Sequence, residues 1–236
     1  NCLKNNIKNF LFSSTAAVYG NPKDKIISEN QFKNPISIYG ETKLIVEKIL
    51  QSLSSVHNIN YGILRYFNVA GADPKKRTGQ LTDNATHLIK VACETALGYR
   101  PKMEIYGNDY NTNDGTAIRD FIHVTDLIEA HILLLSKMIK SNKSFVFNCG
   151  YGKGYSVQEV INSVKKISNN DFKTVISQKR KGDPDILVAD NDKLKKELLW
   201  RPKFNDIDKI VSHSLEWEKT SRKNNFKKNI KILNDS

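Results

Sequence analysis

Tyr39 and Lys43 stand at i and i+4 in the stretch YGETK. On a helix that spacing puts both side chains on one face, one turn apart. A phenol ordinarily titrates near pH 10 and is a poor base at neutral pH. A neighbouring ammonium favours the phenolate, so Tyr39 can accept a proton if Lys43 points at the same site. The spacing by itself is weak, because an exposed pair on a helix surface gives the same motif. Its company strengthens it. The run FLFSST ends in three hydroxyls, Ser13, Ser14 and Thr15. If that run is a strand of an open parallel sheet, its carboxyl end is where such sheets bind ligands. A hydroxyl there can share a hydrogen bond with Tyr39 and a reacting alcohol. Taken alone, the same three residues are an ordinary strand-end turn.

Other chemistry-bearing residues read more plainly. Asp114, Asp120 and Asp126 are spaced by six, but no His or Cys partner stands at ligand spacing, so no metal is expected. His123 reads as structural, and Tyr19 and Tyr151 as packing or loop residues. Cys2, Cys93 and Cys149 are odd in number and lack a CxxC pair, which argues against a disulfide framework and a zinc site and suits a reducing cytosol. Cys93 and Cys149 lie in apolar context and read as core.

These residues need elements to hold them. Phe10 to Ser14, Tyr61 to Phe67, Ser144 to Gly150 and Lys173 to Ser177 read as strands. Helical periods run over Tyr39 to Val56, Asn84 to Leu97, Val124 to Ile139, Val157 to Ile167, Asn191 to Leu199 and Asp206 to Lys219. Thr125-Asp126 would begin the third, Ser156 would cap the fourth, and Gly98 would stop the second. Strands alternating with helices imply an α/β architecture with a largely parallel sheet. Residues 71–79 and 107–115 are turn-rich loops, and the less regular pattern around them suggests a second lobe.

The 236 residues are 39% hydrophobic and 26% charged, an ordinary globular composition, long enough to bury a core. The net charge of +12 admits a nucleic-acid binder or simply a solvated basic surface. Basic residues are spread along the chain and cluster only from Arg222 to Lys231, without zinc-finger spacing or an RNA-binding aromatic signature, so the second reading is preferred. A modest bias toward an anionic ligand survives either way. The longest apolar run, Ile132 to Leu135, is far too short to span a bilayer.

Four motifs in order, FLFSSTAAVYG, SIYGETKLIVEKIL, ILRYFNVAGADP and GNDYNTNDGTAIRDFIHVTDLIEAH, resemble the extended short-chain dehydrogenase/reductase family, and within it the UDP-glucose 4-epimerases. The resemblance runs from Phe10 to about Trp217. It implies a partial NAD(P)-binding Rossmann fold, a doubly wound parallel sheet, plus a smaller α/β substrate-binding lobe. Residues 1–70 would be the C-terminal part of the Rossmann domain and 71–236 mainly the UDP-sugar domain, with 116–150 returning to the Rossmann sheet. The family's GxxGxxG turn is not in this sequence, so the chain reads as lacking most of its NAD-binding half.

By the same resemblance, Thr15 matches the residue that hydrogen-bonds the sugar 4-hydroxyl, Tyr39 the catalytic base, and Lys43 the lysine on the nicotinamide ribose. Ser13 and Phe67 match positions near the nicotinamide. Asn68 matches a diphosphate contact. Leu88 lies where the family places backbone contacts to substrate, and His87 beside it replaces an Asn of some members. Glu104, Ile105 and Tyr106 match the strand along the uracil. Arg119 and Arg180 match the arginines on the diphosphate, and Asp183 the carboxylate on the uridine ribose. Fork-shaped cations suit a diphosphate, and a carboxylate suits a ribose diol. Without the resemblance, Arg119-Asp120 reads as an ion pair and Arg180 to Asp183 as an exposed basic turn.

The implied reaction interconverts UDP-galactose and UDP-glucose through a 4-keto sugar with tightly bound NAD, in galactose metabolism. It implies a cytoplasmic homodimer paired partly through the Tyr39 to Val56 helix, with no nucleic acid, membrane or metal partner. Dehydratases on this scaffold carry an Asp-Glu pair after the threonine, where this chain has Ala16 and Ala17. The gate between plain and N-acetylated sugars matches Leu187, smaller than the Tyr of some members, so a UDP-N-acetylglucosamine 4-epimerase stays open. So does an inactive binding protein.

Overall fold

The helical periods and the longer strand runs of the sequence become elements of the structure. The computed structural model describes the backbone of residues 1–234 and the side chains of residues 1–221, so the side chains of the basic cluster from Arg222 to Lys231 lie outside the described residues. In chain order the elements are β1 (Asn9–Thr15), β2 (Ile26–Ile27), α1 (Ile38–Val56), β3 (Asn60–Tyr66), β4 (Asn68–Ala70), α2 (Leu88–Ala96), β5 (Met103–Tyr106) and β6 (Ile118–His123). They continue with α3 (Val124–Ser141), β7 (Phe145–Cys149), β8 (Gly154–Ser156), α4 (Val157–Ser168), β9 (Thr174–Ser177), β10 (Ile186–Ala189), α5 (Asp192–Leu198) and α6 (Ile207–Asn234).

β1, β3 and β7 form a parallel three-stranded sheet in the order β1-β3-β7. Its residues alternate between two covered faces. Arg65 of β3 points to α1, whereas a side chain at Gly62 would run into Leu134 and Met138 of α3. Helices on both faces of a parallel sheet make the α/β arrangement that the alternation implied. A second sheet has the order β2-β10-β6-β4, with β8 antiparallel on β6. β5 and β9 pair in parallel apart from both. Within the segment 116–150, β6 belongs to the second sheet, while α3 and β7 build the first.

The structure departs from the sequence reading in several places: β2, β4, β8 and β10 are short strands that the periodicity did not mark, and α6 runs on past Lys219. α2 begins at Leu88 rather than Asn84, because Asn84 takes a left-handed backbone with φ of 52°. α3 is capped by His123, whose ring accepts the Thr125 N–H, and not by Thr125-Asp126. Arg119-Asp120, read as an ion pair at a strand end, lies inside β6, where Asp120 is fully buried and Arg119 pairs with Asp183 instead. Ser156 does cap α4, in a reciprocal capping box with Glu159.

The main core joins α2, α3, α4 and α6 to the sheets through residues such as Leu64, Ile122, Leu134, Phe147, Ile161 and Trp200. Cys93 and Cys149 are buried in it as free thiols, and burial pushes both up in pKa. Among the described residues no helix is long and apolar enough to cross a membrane.

Candidate active site

β1 delivers its three hydroxyls to different surroundings. Thr15 ends the strand and caps a short 3-10 turn over Ala16–Tyr19, its Oγ1 accepting the Ala17 N–H at 3.1 Å. That leaves the Thr15 hydroxyl hydrogen available to the cleft. α1 then brings Tyr39 back to this turn. Its N-terminus is capped by Ser37, and Gly40 lets it come close, since a Cβ there would lie 2.6 Å from the Ala17 carbonyl oxygen. Tyr39 is 56% exposed, in the first turn of α1, and shares a cavity wall with Thr15, Tyr66, Phe67 and Asn68. Lys43 follows one turn later, its Nζ 5.7 Å from the Tyr39 ring centroid and donating to the Ser13 carbonyl at 3.0 Å. The expected pair therefore stands beside the carboxyl end of β1, Lys43 bonded to the Ser13 carbonyl and Tyr39 on the same cavity wall as Thr15.

Tyr66, which the motif reading passed over, completes this end. Its hydroxyl lies 2.7 Å from Ser13 Oγ and 2.5 Å from His131 Nε2, and burial raises its pKa. No spacing in the sequence pointed to it; only the register that pairs Tyr66 with Thr15 across β1 and β3 brings it here.

Asn68 starts β4 and lines three adjoining cavities. The largest, about 700 Å³, is also lined by His87, Leu88, Glu104, Tyr106, Arg119, Arg180 and Asp183. Arg119, on β6, donates to the Ile118 carbonyl at 2.7 Å and to Asp183 at 2.5 Å. Asp183 also accepts from Tyr110 at 3.1 Å; burial and that carboxylate push the Tyr110 phenol up to about 12. Arg180 stacks its guanidinium 4.1 Å over the Tyr106 ring. The turn that presents Arg180 and Asp183 passes through Gly182 at φ of 77°, a left-handed conformation suited to glycine. His87 precedes α2 and its Nδ1 lies 2.8 Å from Gln80 Nε2. Leu187 lines the third cavity with Thr15, Ala16, Ala17 and Arg180.

Ile105 stands apart. The pleat of β5 turns it into the core at 3% exposure, while Glu104 and Tyr106 line the cleft. At that position only the backbone can meet a ligand. The three spaced aspartates serve the fold. Asp114 accepts from Ser156 and Thr116, Asp120 from three backbone N–H groups, and Asp126 from Tyr151 and two backbone N–H groups. His123 is buried, stacked on Phe204 and bonded to His213, and burial drives it down to about 4. Among the described residues no three His, Cys, Asp or Glu side chains are gathered to hold a metal ion.

An open parallel sheet here brings a tyrosine, a lysine and a threonine to its carboxyl edge beside an arginine- and carboxylate-lined cleft, the place where α/β folds of this class bind ligands. Residues 1–150 match the family described as the NAD dependent epimerase/dehydratase family, and the chain belongs to it. It is 48% identical over 219 residues to a UDP-glucose 4-epimerase of Azospirillum brasilense, covering 93% of this chain and 63% of that protein. Among solved structures, the UDP-Glc/GlcNAc 4-epimerase of Campylobacter jejuni superposes with a TM-score of 0.78 at 46% identity, over 92% of this chain and 66% of that one. A UDP-glucose 4-epimerase of Bifidobacterium longum, in complex with NAD+ and UDP, gives 0.86 at 35% identity, over 92% and 65%. The chain thus spans just under two thirds of the length of these relatives.

The residues present fit a nicotinamide nucleotide at this edge. The Lys43 ammonium has three N–H donors, one of which goes to Ser13, so the others can meet a ribose diol. Ser13 is exposed beside it, and Phe67 offers an apolar surface to the cavity.

Proposed function

We propose that the protein carrying this chain is a UDP-glucose 4-epimerase that interconverts UDP-galactose and UDP-glucose and holds its NAD tightly. The observation that carries this reading is the convergence of Tyr39 and Thr15 on a cleft whose far wall presents Arg119, Arg180 and Asp183, with Lys43 beside the Tyr39 ring. Lys43, Ser13 and Phe67 would hold the nicotinamide riboside. The cofactor, when bound, supplies reversible oxidation of the sugar C4 carbinol.

The chain's own residues do the rest. The Tyr39 oxygen accepts the proton of the sugar 4-hydroxyl as that carbon is oxidised, and returns it when the ketone is reduced. Lys43 and the positive end of α1 place favourable charge beside the Tyr39 phenolate, the form that accepts this proton. Thr15, its Oγ1 already accepting from Ala17, donates its hydroxyl hydrogen to the 4-oxygen. Arg119 and Arg180 hold the diphosphate while the keto sugar turns to offer its other face. Ala16 and Ala17 stand where elimination of water would need acid groups, which favours epimerisation over dehydration.

The small Leu187 beside Thr15, together with the likeness to a UDP-Glc/GlcNAc 4-epimerase, supports acceptance of N-acetylated sugars as a second substrate class. The exposed Ile45, Ile49 and Val56 on α1 support the pairing of two copies. The three free thiols favour the cytoplasm. The test is conversion of UDP-galactose to UDP-glucose by the full-length protein, read with a coupled UDP-glucose dehydrogenase. Turnover without added NAD is expected, and no conversion with NAD supplied overturns the reading.

A further inference from the structure

Beneath the catalytic edge, on the sheet face turned to α1, Ser14, Arg65 and Asn148 stand in register across β1, β3 and β7. All three are buried, at 1%, 2% and 0% exposure. Glu47 descends onto this row from α1, itself 1% exposed. Its carboxylate accepts Ser14 Oγ at 2.5 Å, Arg65 Nε at 3.0 Å and Arg65 Nη2 at 2.6 Å. Arg65 Nη1 donates to the Tyr19 hydroxyl at 2.8 Å and the Glu29 carbonyl at 3.1 Å. Tyr19 donates to Asn148 Oδ1 at 2.6 Å, and burial keeps its phenol protonated, pushed up to about 12. Among the described residues no buried side-chain polar atom lacks a partner.

Stability does not account for an ion pair at this depth. Taking two charges out of water costs about what their attraction returns. What a bidentate arginine–carboxylate pair does supply is a fixed distance and angle. Here that angle concerns the site. Glu47 follows Lys43 by four residues and Tyr39 by eight, so all three lie along one side of α1. Ser14 is bonded to Thr15, and Arg65 to Tyr66. The three elements that carry Thr15, Tyr39 and Tyr66 therefore cross at a single buried carboxylate.

We propose that Glu47, clamped by Arg65 and Ser14, is a positioning residue that fixes the roll and depth of α1 and so sets Tyr39 against the strand end at Thr15. The proposal rests on the epimerase reading for its kinetic consequence and on geometry alone for its structural one.

Two variants of the full-length protein test it. Glu47→Gln with Arg65→Met removes both charges, keeps an acceptor for Ser14 and leaves no orphaned ion. Arg65→Lys keeps the charge pair but lacks the fork, and serves if the first variant does not fold. The readouts are kcat and KM, UDP affinity by calorimetry, melting temperature, and amide hydrogen exchange of α1 against α4. The expected result for the double variant is a melting temperature near that of the parent, UDP affinity within about threefold, kcat lower by about 100-fold and α1 exchange faster by about tenfold. For Arg65→Lys, kcat falls about tenfold, with faster α1 exchange. Unchanged kcat or unchanged α1 exchange in a folded variant overturns the proposal. If the parent itself lacks epimerase activity, the functional reading fails, and the exchange rates alone decide whether Glu47 holds α1.

Discussion

Arg119→Met probes the far wall of the cleft most directly. A guanidinium has five N–H donors. In the structure one goes to the Ile118 carbonyl and one to Asp183, so three remain for a ligand. The side chain is only 12% exposed, so a bond to phosphate there is made largely out of water. A hydrogen bond to a charged group contributes about 1.5–3 kcal/mol. At 1.4 kcal/mol per decade, one such bond corresponds to a rise in the UDP Kd of about 10- to 150-fold. Loss of the guanidinium also leaves Asp183 unneutralised in the cleft, where it repels a diphosphate, so the upper half of that range is expected. Isothermal calorimetry of the full-length protein with UDP gives the number, and uridine is the control, because it lacks the phosphates and should bind Arg119→Met within about twofold of the parent. Arg119→Lys restores charge without the fork and should fall between. A UDP affinity within threefold of the parent, or an equal loss for uridine, refutes the assignment of Arg119 to the diphosphate.

Tyr39→Phe removes the proton acceptor and should lower kcat by about 10²- to 10⁴-fold with UDP affinity unchanged; ordinary turnover in that variant would remove Tyr39 from its role. Leu187→Tyr should fill the cavity beside Thr15, cutting kcat/KM for N-acetylated UDP-hexoses at least tenfold while sparing UDP-galactose; equal losses for both would show that Leu187 is not the gate. Burial raises Asp120 from 3.8 to about 6, against three backbone N–H bonds that pull the other way. Because the folded state then holds its proton more tightly than the unfolded one, this group's contribution is present below about pH 4 and is lost as pH rises through 6, by about 3 kcal/mol in all. Urea unfolding at a series of pH values should show that slope, and Asp120→Asn should flatten it; an unchanged slope would mean that Asp120 titrates normally.

Much of this was legible along the chain because its causes are local. An i, i+4 pair lies on one helix face wherever the helix sits, so Tyr39 and Lys43 could be matched before the fold was seen. Ser156 reads as the cap of α4 and does cap it, and the structure adds Glu159, three residues on, as the other half of a capping box. The alternation of strand and helix periods likewise fixed the α/β class, because each period reports a face that must be buried. The misplaced start of α2 arose where a left-handed Asn84 broke a pattern that apolar spacing alone could not break.

What the sequence by itself determined was the helices, the longer strands and the chemistry each could carry. Only the tertiary structure decided which side chains meet. Arg119 finds Asp183 across 64 residues, Tyr19 finds Asn148 across 129, and Arg65 finds Glu47 from the next strand in the sheet. Ile105 goes inward and Glu104 outward because of the pleat and its neighbours, not because of their spacing. The physical reason is one of range. Backbone periodicity and capping act over a few residues and leave their mark in the letters, whereas register, burial and long-range pairing exist only once the loops have closed.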